Sequence, residues 1–448
     1  MTKKTRTIIF LACFLLFVLI APSAVLYSQG YRFDFENKKF TQTGGLFIKA
    51  LPKQADVYLD DKQNEKTDFF FGSILIENLL PKKYKVEVKK EGYHLWEKTL
   101  EIKEREVQEV KNIVLFPQNI NFNVLSNGVE RFWFSPDQKK IILQEKEKLG
   151  WALKLYDLDK KIKSHLLNEE DFFAEETELI NLNFSEDSKK IYLQTELAAA
   201  GEGKDEGKLQ GGQTSSPTAA KEKIQYFTLE LEKITPILTE TTPPLPPVEN
   251  AIAYRQINSD IYYLDESGRL FKNGVELTSE PFPIEQETEY ALEVFQNNIF
   301  LRETDVLYKF NDDSKSFEIF FDKIKSLKNS PDNKKLAYSS DHEIWLLFLS
   351  DKTDSPQKKA GEKIFLMRLS EEISNVSWLN DNYLIFIAGD KIKISEIDDR
   401  DRLNIIDIFE IKNSPAEGGP PEISWNQSDK KLYLLNEETL YQSSAISP

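Results

Sequence analysis

The sequence predicts an all-β protein in three parts: one N-terminal transmembrane helix, a small β-sandwich and a seven-bladed β-propeller. Three observations predict it. An apolar run of about 20 residues follows three basic ones, the next 75 residues break into short alternating runs, and one turn motif recurs through the remainder. The chain has 448 residues, 58 Lys+Arg against 74 Asp+Glu and a net charge of −16. With 40% hydrophobic residues it has enough apolar material for packed cores. Its acidity argues against nucleic-acid binding, which needs a basic footprint. A single cysteine, Cys13, excludes an internal disulfide and a Cys-X-X-Cys pair.

The first element is the helix. Lys3, Lys4 and Arg6 lie in the basic flank 1–7 and precede the apolar span Ile8–Tyr27. That length crosses ~30 Å of hydrocarbon as a helix. Basic residues stay on the cytoplasmic side, so the expected orientation exports everything after Tyr27, itself suited to the membrane interface. A cleaved signal peptide is the alternative, since Ser28-Gln29-Gly30 can serve as a small-residue cleavage site. Cys13 is read as a buried helix thiol, because too few apolar residues precede it for a lipoprotein signal. Residues 28–42 are expected to form a linker.

Residues 43–117 read as a sandwich. Gly45–Ala50, Asp56–Leu59, Ser73–Ile76, Tyr84–Lys89 and Trp96–Ile102 are short runs rich in β-branched and aromatic residues, several alternating apolar with polar. Asp60-Asp61, Asn78, Pro81-Lys82-Lys83 and Glu91-Gly92 supply the turns between them. Four blocks, Pro52-Lys53-Gln54-Ala55, Val57-Tyr58-Leu59-Asp60, Leu79–Val86 and Lys90-Glu91-Gly92-Tyr93, make this stretch resemble the PEGA domain. It departs from the family pattern at Gln54, where glycine is usual, at Asp61, where the turn glycine is missing, and at Thr67-Asp68 in place of Thr-Pro. The resemblance implies a compact β-sandwich of extracytoplasmic and surface proteins, a binding or spacer module bringing no catalytic residue. Phe69-Phe70-Phe71 is expected to lie in a strand, with intramolecular packing favoured over its role as a candidate contact surface.

From residue 118 to 448 a unit repeats. Phe134-Ser135-Pro136-Asp137-Gln138-Lys139-Lys140-Ile141 returns as Phe184–Ile191 and Asn329–Leu336, and more loosely as Trp378–Leu384 and Trp425–Leu432. The residues opening the next strand are spaced 50, 48 and 48 apart where copies are adjacent, and Ile261–Leu264 and Ile299–Leu301 fill the long gap. Seven units result. The unit is a strand, a tight turn and a returning strand, with proline and aspartate at positions that suit a type I turn. Asp137, Asp187, Asp332, Asp381 and Asp429 are therefore read as structural turn formers. The period is that of propeller blades, and the turn resembles those of TolB-like and WD40-like propellers. Residues 198–223 are expected to be a disordered insert and 241–247 a proline-rich connector. Trp133, Trp151, Trp345, Trp378 and Trp425 are expected to fill space between blades.

The sequence carries no G-x-S-x-G elbow, and His94, His165 and His342 are its only histidines. Each histidine reads as a surface residue, with His94 placed in the sandwich, remote from the repeats. The run Asp398/Asp399/Asp401 lacks the glycine of a calcium loop and reads as a solvated turn. No catalytic, cofactor-binding or metal-ligating residue is assigned. The expected protein is a single-pass membrane protein with its C-terminal part extracytoplasmic, a non-catalytic binding or scaffold protein of the cell envelope. Its partners are the membrane and an envelope protein or glycan. The alternatives are an envelope hydrolase or lyase with an acidic site in the propeller funnel, and a secreted protein after signal cleavage.

Overall fold

The structure is a computed structural model, and it describes residues 3–148, 150–173, 176–197, 224–232, 237–241, 248, 250–412 and 419–446. The expected insert 198–223 lies outside the described residues, as does the expected connector beyond Thr241. By internal contacts the chain forms two compact units. One holds residues 1–120, 325–411 and 445–448, and the other 121–324 and 412–444.

The first unit opens with helix α1, Lys3–Ser28, whose 26 residues have a mean hydropathy of 2.8 in their most apolar stretch. It is long and apolar enough to cross a membrane. The stretch expected as a linker is instead a hairpin, β1 (Tyr31–Asp34) and β2 (Lys39–Gln42). Asp34 closes it: one carboxylate oxygen accepts the N–H groups of Glu36 and Asn37, the other the amide of Asn37. Cross-strand Phe33 and Phe40 pack edge to face. A run of only four residues per strand gave the period too little length to register.

Next come the strands of the sandwich: β3 (Gly44–Leu51), β4 (Asp56–Leu59), β5 (Lys62–Lys66), β6 (Ser73–Leu79), β7 (Lys83–Lys89), β8 (Trp96–Glu101) and β9 (Val107–Val114). They form two sheets, ordered β6-β3-β9 and β5-β4-β7-β8. Alternation decides the core. Leu46, Ile48 and Ala50 of β3, Val57 and Leu59 of β4, Val86 and Val88 of β7, and Trp96 and Leu100 of β8 are buried together.

Seven four-stranded antiparallel sheets follow among the described residues, one for each of the seven expected blades. In chain order the first five begin at Val129, Thr177, Ala251, Tyr290 and Ser326, and the sixth runs from Ile373 to Glu410. The seventh comprises Glu422–Asn426, Lys431–Asn436 and Thr439–Ser443, completed by Phe122–Asn127 from the start of the repeat region. Ile141, Ile191, Ile261, Ile299, Leu336, Leu384 and Leu432 each fall at the start of the second strand of one sheet. The second strands of the fifth and sixth sheets are covered on both faces and read as continuous apolar runs: Lys335–Ser339 and Tyr383–Ala388 are buried at every position. The fifth and sixth sheets belong to the same unit as the sandwich. They share a core of Leu346, Phe348, Ile373, Val376, Trp378 and Phe386.

Candidate functional site

The first candidate is the aromatic tip of the sandwich. Phe69, Phe70 and Phe71 do not form a strand and do not pack inward. They occupy a turn and are 65%, 75% and 73% exposed. Asp68 is the reason. Its carboxylate accepts the N–H groups of Phe70 at 2.7 Å and Phe71 at 2.6 Å with one oxygen, and the N–H and hydroxyl of Ser73, both at 2.8 Å, with the other. These bonds, that from Phe71 foremost, hold the carboxyl down at about 2. Lys53 Nζ donates to the Phe70 carbonyl at 2.7 Å. Gly72 closes the turn with φ +68, and a Cβ there would stand 2.6 Å from the Ala50 carbonyl, so only glycine fits. The tip is thus a pre-shaped apolar surface. It lies at the Ser73 end of β6, whereas Gly44 of β3 pairs with Leu79 at the other end, about 20 Å away along the strand.

The second candidate joins the sandwich to the sixth sheet within the first unit. On β8, Lys98 shares the buried face of Trp96 and Leu100 and is 0% exposed. Its ammonium donates to the carbonyls of Asp398 at 2.8 Å, Arg400 at 2.7 Å and Arg402 at 2.8 Å, and pairs with Glu396 Oε1 at 2.8 Å. Alternate carbonyls face one way because the loop curls, with Asp401 at φ +58. Glu396 also accepts the Trp96 indole N–H at 2.9 Å and the backbone and side-chain N–H groups of Asn404.

The same loop covers the free edge of β8. The Asn404 amide accepts from Glu97 N–H and donates to Glu97 C=O, both at 3.1 Å, and Asp401 accepts from Thr99 N–H at 2.7 Å. These side chains satisfy backbone groups that an edge strand would otherwise leave open to another strand. The Asp398–Asp401 run is therefore a clasp rather than the solvated turn its composition suggests. Burial pushes the Asp398 carboxyl up, but its bonds to Arg400 and the charges of Arg400 and Lys98 outweigh that and hold it low. Arg400 in turn donates to the Glu109 carbonyl, and the Tyr383 hydroxyl accepts the Val114 N–H at 3.0 Å. A polar cavity of about 40 Å³ remains between these elements, lined by Trp96, Asn112, Lys352, Tyr383, Asp398 and Arg400 among others. Four oxygens thus surround the Lys98 ammonium, and Asp398 pairs with Arg400 beside it.

Lys98, Glu396 and Asn404 escape a sequence reading of single residues, yet one signal marks the first. Trp96, Leu100 and Ile102 alternate on one face, and Lys98 interrupts that face. A charge on an apolar face needs a buried partner.

His94 is not remote from the sheets: with Tyr383, Ile394, Asn404 and Ile406 it lines a second small cavity. Burial pushes its imidazole down, and its Nε2 is buried without a partner. His165 and His342 are exposed. The repeat aspartates make local turns. Asp137 accepts from Ser135 Oγ at 2.6 Å and Lys139 N–H at 3.1 Å, and Asp187 and Asp332 repeat both bonds. Asp381 accepts the N–H of Asp332 from the neighbouring sheet, and Asp429 accepts the Tyr433 hydroxyl at 2.6 Å. Trp151 and Trp378 are buried and bridge neighbouring sheets through bonds to Thr177 and Lys328 carbonyls, while Trp133, Trp345 and Trp425 are half-buried. Lys3, Lys4, Arg6 and Tyr27 all lie on α1, with the Arg32 guanidinium 3.6 Å from the Tyr27 ring centre. Among the described residues no group of three or more His, Cys, Asp or Glu side chains is placed to hold a metal ion.

Residues 43–115 match the PEGA domain family. The match covers the sandwich, including the aromatic tip and β8. No curated protein matches the chain. Among solved structures, a virginiamycin B lyase from Staphylococcus aureus is 12% identical over 73% of this chain and 99% of that one, with a TM-score of 0.38. YCF48 from Cyanidioschyzon merolae is 11% identical over 72% and 98%, with a TM-score of 0.40. Likeness at this level carries no argument about activity. Two departures from the PEGA domain pattern, Gln54 and Asp61, have positive φ, +59 and +63, where glycine is the usual residue. Asp68, in place of proline, is the residue that shapes the tip.

Proposed function

We propose that the chain is a membrane-anchored, extracytoplasmic binding or scaffold protein of the cell envelope that works without catalysis and offers Phe69–Phe71 to a partner. The observation that carries this reading is the tip itself: three neighbouring phenylalanines held out in water by a carboxylate that bonds their own backbone. Exposed aromatics cost a soluble domain solubility and bring it no stability, whereas aromatic anchors entering a pocket dominate binding energies. An apolar tip of this kind suits a hydrophobic pocket on an envelope protein.

Anchoring rests on α1. Its 26 residues span about 39 Å as a helix, and Lys3, Lys4 and Arg6 stand at its start, which favours an exported C-terminal part. PEGA domains are extracellular, which supports the same orientation. The test uses the full chain in nanodiscs, with wild type and a Phe69→Ser/Phe70→Ser/Phe71→Ser variant as baits for envelope extracts, each component retained being identified. The reading expects a stoichiometric partner that the variant loses while its circular dichroism is unchanged. Equal capture by both baits contradicts it.

A further inference from the structure

We infer that the β1–β2 hairpin is a second membrane contact, an aromatic bracket seated in the headgroup layer of the leaflet through which α1 emerges. This rests on the reading that α1 spans the bilayer. The hairpin starts at Tyr31, three residues after the helix ends at Ser28, so it begins within about 11 Å of the helix terminus. Its position is fixed at both ends. Arg32 stacks on the Tyr27 ring and donates to the carbonyls of Tyr27 and Tyr31, tying the hairpin to the helix. Arg32 also donates to Asn78 Oδ1 at 2.6 Å, Thr43 N–H to the Gly30 carbonyl at 3.0 Å, and Thr41 Oγ1 to Glu104 at 2.5 Å, tying it to the sandwich.

The outward groups fit a lipid surface. Phe33, Phe35 and Phe40 are 38%, 82% and 55% exposed, and they form one cluster with ring centres 5.0 and 5.2 Å apart. Aromatic side chains collect at membrane interfaces, and Phe beside a spanning helix has the hydrocarbon edge within reach. The hairpin carries Arg32, Lys38 and Lys39 against Asp34 and Glu36, a local excess of one positive charge in a chain of −16. Asp34 turns its carboxylate into the turn's own N–H groups, so the acidic member with the firmest partners does not confront anionic headgroups. Interfacial segments combine apolar insertion with just such attraction. The bracket would set the height of the sandwich, with Phe69–Phe71 at the far end of β6 directed away from the bilayer.

Site-directed spin labelling of the full chain in phosphatidylcholine/phosphatidylglycerol vesicles tests this. Labels go on native Cys13, on Phe35→Cys and on Phe70→Cys, the last two in a Cys13→Ala background. Relaxation by oxygen, which partitions into lipid, is compared with relaxation by a water-soluble nickel chelate. The inference expects the oxygen-to-nickel ratio to fall in the order 13, 35, 70, with position 35 several-fold above position 70. It also expects Phe33→Ser/Phe40→Ser to bring position 35 down towards the value at 70. Position 35 equal to position 70, with Cys13 still in hydrocarbon, overturns the bracket and leaves the anchor standing. Cys13 accessible to nickel overturns both.

Discussion

Two kinds of acidic loop occur in this molecule, and they use aspartate to opposite ends. The repeat turns at Asp137, Asp187 and Asp332 satisfy their own backbone within a few residues. The loop Asp398–Arg402 instead offers its carbonyls to Lys98, 300 residues earlier in the chain. The repeated loop is local, so any copy can be read from its neighbours. The unique loop has a meaning only when β8 lies against it.

The sharpest way to break this contrast is Lys98→Met in the full chain. It leaves Glu396 buried without its cation, and removing one partner of a buried pair costs about 3–5 kcal/mol. Chemical denaturation should show that loss, and Lys98→Met/Glu396→Gln should recover part of it by removing the stranded charge. A loss no larger than that of a surface substitution would reduce the clasp to a crystal-like contact of little worth. Asp137→Ala should cost about 1 kcal/mol, the typical worth of a capping side chain, and should not alter exchange anywhere in the sandwich.

A change in the opposite direction is expected at Gln54. Its φ of +59 is a conformation that costs an L side chain roughly 1 kcal/mol. Gln54→Gly should therefore raise stability by a fraction of that, glycine's extra unfolded-state freedom offsetting the rest; a lower denaturation midpoint would show the side chain has a role of its own. The smallest effect is in pH. Burial depresses the His94 pKa below 6.5, so the unfolded chain binds the proton more readily than the folded one. Its contribution to stability is complete above pH 6.5 and is lost as pH falls through the folded value. His94→Gln should flatten that part of the stability profile, and an unchanged slope would assign it elsewhere.

What was legible in the sequence follows the same division. Five of the second strands announce themselves because an apolar run follows a recurring turn, whose hydrogen bonds are internal at Asp137, Asp187 and Asp332, whereas those at Ile261 and Ile299 follow from spacing alone. The sandwich core is legible because its buried positions alternate. The aromatic tip reads as a strand yet forms a turn because Asp68 bonds three backbone N–H groups over five residues, and nothing in a Phe-Phe-Phe run reports on a side chain before it. The hairpin at 31–42 is hidden in the sequence because it is too short for periodicity and draws its support from Asn78, Glu104 and Arg105. The clasp needed the interrupted face at Lys98 to be weighed against the acidic run at 398–401. Each is half of a long-range pair, and neither half names the other.

The central claim is that the sandwich is held to the sixth sheet as one body, so that the aromatic tip stands at a fixed place. Amide hydrogen exchange over residues 94–101 of the full chain tests it most directly. β8 is the edge strand of its sheet, so the outward N–H groups of Glu97 and Thr99 depend on Asn404 and Asp401 for protection. Slow exchange in the wild type that becomes fast in Lys98→Met is the predicted result. Fast exchange in the wild type, like that of any open edge, would contradict it.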